Sequence, residues 1–266
     1  MPTSVILSLS ALLSMLPASL LPFGQAAGRE RLFWLLLVPA IVGPTAWVAV
    51  QMYGRWYADL SGALWVTVAA TMVLFAGLSL IVPASRRLAP LLLPYLVLLG
   101  VLATVLRPIE AGPFPGTVPG LWTQAHIVMS VMAYALLTLS AVSGFAVFLQ
   151  ERALKRKQPT KLTRLLPAVA EGERLQIGLL VLAEILLGLG VATGMAVNWT
   201  KGGGVLALDH KSILSIIAFG VVLALLLAHW LTGLRGRMAA RLMLIAFLLL
   251  TLAYPGVKFV ADILLG

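Results

Sequence analysis

The sequence predicts an all-α polytopic membrane protein, a bundle of about eight transmembrane helices. Hydrophobic residues make up 61% of its 266 residues and charged residues only 11%, whereas a soluble domain carries roughly 25% charged residues. The mean hydropathy is +1.04. Several apolar runs reach the roughly 20 residues that a helix needs to cross a bilayer. Together these observations exclude the water-soluble classes of protein.

Charged or Pro- and Gly-rich segments separate the apolar runs and so define the helices in order. Because no Lys or Arg precedes Arg29, the first run lacks the basic start of a secretory signal peptide and is predicted to be a spanning helix. There is no internal repeat, so we expect a single integral-membrane domain, 1–266. The predicted spans are residues 3–22, 32–51, 62–83, 89–106, 121–150, 174–197, 208–232 and 242–264.

The net charge of +10 predicts the orientation of the chain. Four basic clusters, at 29–31, 86–87, 152–164 and 235–241, follow alternate spans and therefore lie on one side, which the positive-inside rule makes cytoplasmic. Both termini are then external. No basic stretch is interleaved with aromatic residues, so we expect no nucleic-acid partner.

Two histidines stand near the external ends of their predicted helices, and each follows a Gly-rich loop. His126 shares a helix face with Ser130 and Tyr134, and His210 opens the seventh span. Neutral imidazoles on facing helices are axial ligands for haem b, so the pair predicts a bis-histidine haem site. Each could instead be a solvated histidine at the membrane interface. Zinc is disfavoured because few further ligands are nearby.

Other residues qualify this haem hypothesis. The sequence has no cysteine, which excludes a CxxCH attachment motif and requires non-covalent haem. His229 follows His210 by 19 residues, about 28 Å along a helix, so these two histidines are not expected to share a site. Lys211 adjoins His210, where it could orient the imidazole or meet a haem propionate; a solvated charge at the end of a loop is the alternative.

Glu184 is an ionisable residue in the middle of the sixth span. Such a residue costs several kcal/mol inside a membrane unless it is protonated, paired or facing water. It is a candidate functional residue, or a protonated carboxyl bonded to a neighbouring helix. The seven tryptophans fall mostly at span ends, as in an aromatic belt, and among them Trp122 and Trp199 adjoin the external face that carries the histidines.

Five segments resemble the cytochrome c assembly membrane family, in the branch of HemX-like and YpjD-like proteins related to CcsA. The resemblance extends from about residue 90 to the end, and residues 1–89 carry no matching motif. One segment is similar to the family's W-R-G-R sequence, with Leu234 in place of Trp. The five segments are Leu121–Ser130 with Ala133-Tyr134, Leu149–Lys157, Asp209–Ser215, Leu234–Ala240 and Leu252–Lys258.

The resemblance implies haem handling for cytochrome c biogenesis in a bacterial inner membrane, with His126 matching an external haem-ligating histidine of the family. His229 resembles a histidine that related proteins carry deeper in the same helix. The family's tryptophan-rich signature is absent, since Asn198–Gly204 holds one tryptophan. We therefore expect a haem-binding protein rather than a synthase, with the bilayer and other membrane or cytochrome-maturation proteins as partners.

Two other functions remain open at this point. One is a non-catalytic accessory or regulatory membrane subunit whose histidines are structural. The other is a proton-coupled transporter that uses Glu184.

Overall fold

The computed structural model describes residues 2–20, 30–52, 59–106, 120–200, 202, 210–233, 236–252 and 256, without the side chains of 2–4, 20, 52, 210–211 and 236–237. All regular secondary structure in these ranges is helical. In chain order the helices are α1 (Pro2–Leu20), α2 (Glu30–Met52), α3 (Leu60–Ile81), a 3-10 helix (Pro83–Leu88), α4 (Ala89–Val105), α5 (Leu121–Arg156), α6 (Lys161–Leu165), α7 (Val169–Thr200), α8 (His210–Thr232) and α9 (Gly236–Thr251).

Eight of these helices are apolar, and the predicted fold class is confirmed. Within the described ranges, six helices are long and apolar enough to cross a bilayer, and two shorter apolar helices lie at Val5–Ser19 and Met238–Thr251. The protein is an all-α polytopic membrane protein.

Three helices extend beyond the predicted spans. Helix α5 continues through the basic segment to Arg156 rather than ending at 150, α7 begins at Val169 rather than 174, and α9 begins at Gly236 rather than 242. A span predicted from hydropathy ends where the apolar residues end. The helix itself continues past that point, because main-chain hydrogen bonds also form between charged residues outside the hydrocarbon layer. Most of the predicted end of the eighth span, 253–264, lies outside the described residues.

The chain divides into two compact helical units. Unit 1 comprises Met1–Pro115 and Leu149–Glu171, and unit 2 comprises Gly116–Phe148 and Gly172–Gly266. Helices α5 and α7 therefore contribute residues to both units. The single integral-membrane domain stays a prediction.

Unit 1 is packed around aromatic side chains. Helix α1 packs against α2 and α4, and α3 packs against the same two helices. The ring of Trp47 stacks on that of Trp65 at a centroid distance of 5.2 Å, and its Nε1–H donates to the Ser8 hydroxyl at 2.9 Å. Both tryptophans are buried. For these two residues the expectation of an aromatic belt is wrong, because their rings fill the gap between helices.

Arg86 connects the start of α2 to the end of α3 at one end of unit 1. Its Nη1 lies 2.8 Å from Glu30 Oε1, and its Nε donates to the Ser79 carbonyl at 3.1 Å. The guanidinium also lies 5.7 Å from the ring centroids of Phe33 and Trp34, within range of a cation–π interaction. The start of α2 and the connection from α3 to α4 therefore meet at one end, as the alternating basic clusters predict.

In unit 2, α5 and α7 run antiparallel with their main chains close together. The Ser143 hydroxyl donates to the Gly172 carbonyl at 2.9 Å, and the Ser140 hydroxyl donates to the Gln176 carbonyl at 2.8 Å. A Cβ on Gly144 would lie 3.0 Å from the Gln176 side chain. Small residues and hydroxyls are typical of membrane helix interfaces, where they permit close approach and interhelical hydrogen bonds. We call this interface the α5–α7 seam.

We expect Arg86→Gln to lower the melting temperature of the purified protein in detergent. The substitution removes the guanidinium over the two rings and the ion pair to Glu30, whose side chain is 64% exposed, so we expect a loss of about 1 kcal/mol. Arg87→Gln is the matched control. This substitution removes the same charge, but Arg87 is exposed. Equal melting temperatures for the two variants would contradict the role given to Arg86.

Candidate functional site

The first half of α5 holds His126 against α7. The imidazole is half-buried, and its Nδ1 lies 2.8 Å from the carbonyl oxygen of Gly190. Because a carbonyl oxygen only accepts hydrogen bonds, this bond requires a proton on Nδ1, and in the neutral imidazole the lone pair is then on Nε2. Metal-ligating histidines are commonly oriented by this type of bond from the non-ligating nitrogen.

Small residues of α7 make room for this ring. A Cβ on Gly194 would lie 3.1 Å from His126 Cε1 and 3.3 Å from Nδ1, so a side chain there would push the imidazole by a few tenths of an ångström. The Gly190 carbonyl also accepts from the Thr193 hydroxyl at 3.0 Å. The sequence-based prediction of the site did not include Gly190 and Gly194, which hold His126 in place. Their small-x-x-x-small spacing is the sequence signal that could have found them.

The predicted shared face of His126, Ser130 and Tyr134 divides between two neighbouring helices. Ser130 faces α7, with its hydroxyl 3.6 Å from the position of a Cβ on Gly190. Tyr134 reaches α9 instead, where its hydroxyl lies 3.0 Å from Thr251 Oγ1. Helical residues eight positions apart are offset by about 80°, which directs Tyr134 toward a different neighbour.

The second predicted ligand opens α8. His210 is the first residue of that helix, but its side chain, like that of Lys211, lies outside the described residues. The pairing of His126 with His210 stays a prediction. Trp122, one turn before His126, is 52% exposed.

His229 is distant from the start of α8. It lies in the last turn of that helix, 19 residues or about 28 Å beyond its first residue. This placement agrees with the prediction that His210 and His229 do not share a site.

Glu184 lies in the middle of α7 and is 7% exposed. Neither oxygen of its carboxyl has a hydrogen-bond partner among the described residues. One turn further along, a Cβ on Gly188 would lie 3.2 Å from the Phe219 ring of α8. The position of this carboxyl within an apolar span makes it unusual in the sequence, and the structure places it in the interior of unit 2.

The histidines and carboxylates of the described residues do not form a multi-ligand metal centre. No group of three or more His, Asp or Glu side chains gathers there. A zinc site needs three or four such ligands, so His126 is not part of a zinc-type cluster within those ranges.

Comparison with known proteins identifies the family. A sequence profile described as cytochrome C assembly protein matches residues 34–265. The chain belongs to the cytochrome C assembly protein family. The match begins in α2, so the expectation that the family resemblance starts near residue 90 is wrong: α2 and α3 also belong to the family region.

Two relatives differ in how much of the chain they match. The "Uncharacterized 28.8 kDa protein in nifR3-like 5'region" of Azospirillum brasilense is 54% identical over 271 residues, which covers all of both chains. The Escherichia coli K12 protein "Inner membrane protein YpjD" is 27% identical over 186 residues, 68% of each chain. No solved structure matches the chain significantly.

We expect His126 to show the Nδ1–H tautomer in the nitrogen NMR spectrum of protein labelled with ¹⁵N-histidine. Gly194→Ala should weaken this signature, because the added Cβ would displace the ring from the Gly190 carbonyl. Gly178→Ala is the matched control on the same helix, since nothing lies within 4 Å of a Cβ there. A His126 signal unchanged by Gly194→Ala would contradict the contact that we describe between Gly194 and the imidazole.

Proposed function

We propose that this cytochrome C assembly protein binds haem b non-covalently near the external face, with His126 and His210 as the axial ligands. The observation that carries the proposal is the bond from His126 Nδ1 to the Gly190 carbonyl. It fixes the tautomer and the orientation of a histidine whose other nitrogen is the one that a haem iron would take.

The donor set fits haem better than other metal groups. A b-type haem is held non-covalently in an apolar helical environment by one or two histidine nitrogens, and the sequence contains no cysteine for covalent attachment. His126 lies between apolar helices with its Nε2 lone pair uncommitted to the Gly190 bond. Family membership points the same way, toward haem handling in cytochrome c biogenesis.

The remaining site residues have supporting roles in this proposal. Lys211 would pair with a haem propionate, and Trp122 would border the site at the membrane interface. Ser130 and Tyr134 would line its deeper side from α5. Bound haem would supply a tightly held iron porphyrin, which serves as cargo for cytochrome maturation or as a one-electron centre. The chain's own residues bind and orient it, and we assign no catalytic step to them.

The same proposal places the protein in a bacterial inner membrane with both termini external. A relative carries the name inner membrane protein, and the four basic clusters alternate along the chain. Within unit 2, Ser140 contacts Met243, whereas Tyr134 contacts Thr251. Arg241 therefore lies toward the end opposite His126, as the positive-inside rule requires if His126 is external.

We expect the purified protein with added haemin to show a Soret band. His126→Ala and His210→Ala should each lower the affinity for haem at least tenfold. Loss of a residue that only supports a metal ligand already costs roughly tenfold, and loss of the ligand itself should cost more. His229→Ala is the control, because it lies at the other end of α8, and it should leave the titration unchanged.

Two outcomes of that titration would overturn the proposal. One is the absence of a Soret band in the wild type; a colourless protein that co-purifies with a membrane partner would instead support the accessory-subunit function. The other is loss of the band in His229→Ala alone, which would assign the haem to a different site.

The orientation is tested with single cysteines, since the natural sequence has none. We expect a membrane-impermeant maleimide to label Gly120→Cys in cells whose inner membrane is intact, because Gly120 is exposed just before α5. Arg87→Cys should react only after that membrane is permeabilised. The reverse pattern would place both termini in the cytoplasm.

A further inference from the structure

Glu184 lies near the midpoint of α7 and therefore near the middle of the membrane. Helix α7 spans Val169–Thr200, so Glu184 is about 23 Å along the axis from either end. That is close to the middle of a hydrocarbon layer roughly 30 Å thick. A charge at this depth is far from both aqueous faces.

The α5–α7 seam supplies a second measure of this depth. On α7, Glu184 lies between Gln176 and Gly190. These residues meet Ser140 and Ser130 of α5, and Tyr134 lies between those two serines. The main chain of Glu184 is therefore level with that of Tyr134, and the Glu184 side chain is buried in the interior of unit 2.

Among the described residues, no hydrogen-bond partner compensates a negative charge on Glu184. Its side chain is buried, and both carboxyl oxygens lack a hydrogen-bond partner among the residues that the structure describes. An ionised carboxylate without hydrogen bonds or a counter-charge is strongly disfavoured in such an environment, whereas a neutral carboxylic acid loses far less hydration on burial.

A metal cation would not relieve this cost within the described part of the chain. Hard cations such as Ca²⁺ take six to eight oxygen ligands, but this carboxyl does not belong to any group of three or more His, Asp or Glu side chains there. A single carboxyl with two uncommitted oxygens suits the smallest cation, the proton.

We propose that Glu184 is a proton-binding site inside the membrane span and that it holds its proton in the folded protein while exposed carboxyls are ionised. The proton is bound by one carboxyl oxygen, and its release leaves a carboxylate that must be met by water or a new partner. The neutral acid is therefore the resting state of unit 2. This site does not depend on the binding of haem.

The test is infrared spectroscopy of the haem-free protein in detergent at pH 6, where exposed carboxyls are ionised. We expect a carbonyl-stretching band of a protonated carboxylic acid, well separated from the carboxylate bands of the other acidic residues. The band should shift in D₂O and should vanish in Glu184→Gln, whose side chain has nearly the same shape and no ionisable proton. Glu184→Asp should retain a band at a changed frequency.

Glu171→Gln is the matched control for this measurement. Glu171 is exposed at the start of the same helix, so its removal should leave the band unchanged. A wild-type spectrum without the band would overturn the proposal. A band that persists in Glu184→Gln would assign the proton to another residue and would overturn it equally.

A lipid-soluble carbodiimide gives an independent readout in membranes. The carboxyl O–H adds across the reagent, with its proton going to a nitrogen, so the chain gains one reagent mass without a leaving group. We expect a single adduct on the peptide containing Glu184, present in Glu171→Gln and absent from Glu184→Gln. Protection of this peptide by Na⁺ alone would show a metal-cation site and would overturn the assignment to a proton.

Discussion

Close contact between α5 and α7 is the constraint on which the arrangement of unit 2 depends. Ser140 and Ser143 donate hydrogen bonds to main-chain carbonyls of α7, and the absence of side chains at Gly190 and Gly194 lets the two helices approach. Interhelical hydrogen bonds in membranes contribute only about 0.6 kcal/mol each on average. Their effect here is to fix register, since each joins a particular pair of positions along the two helices.

That register determines what the polar residues of the seam can do. Toward one end it presents His126 to the Gly190 carbonyl, which leaves one imidazole nitrogen for a ligand. Deeper in the span it brings Tyr134 and Glu184 to a common level. One helix pair thus carries both the candidate haem ligand and the buried carboxyl, at different depths.

The cost of burying polar groups in hydrocarbon explains most of the remaining interactions. In unit 1, the Trp47 indole donates to Ser8, and Arg86 is satisfied by Glu30 and a main-chain carbonyl. Each bond meets the requirement that polar groups find partners away from water. Among the described charged residues, Glu184 is buried without a hydrogen-bond partner for either carboxyl oxygen. We therefore explain its burial by protonation of the carboxyl rather than by a contact.

The sequence by itself determined the fold class, the approximate positions of the spans, the family-like segments and the identity of the unusual residues His126 and Glu184, because hydropathy and motifs are local properties of the chain. Only the tertiary structure decided that His126 rests on Gly190 and Gly194, that Tyr134 turns to α9, and that Trp47 and Trp65 face inward. A membrane helix is apolar on all sides, so its sequence pattern does not reveal which face meets a neighbour. Those contacts depend on the rotation and register of two helices together, which neither helix specifies alone.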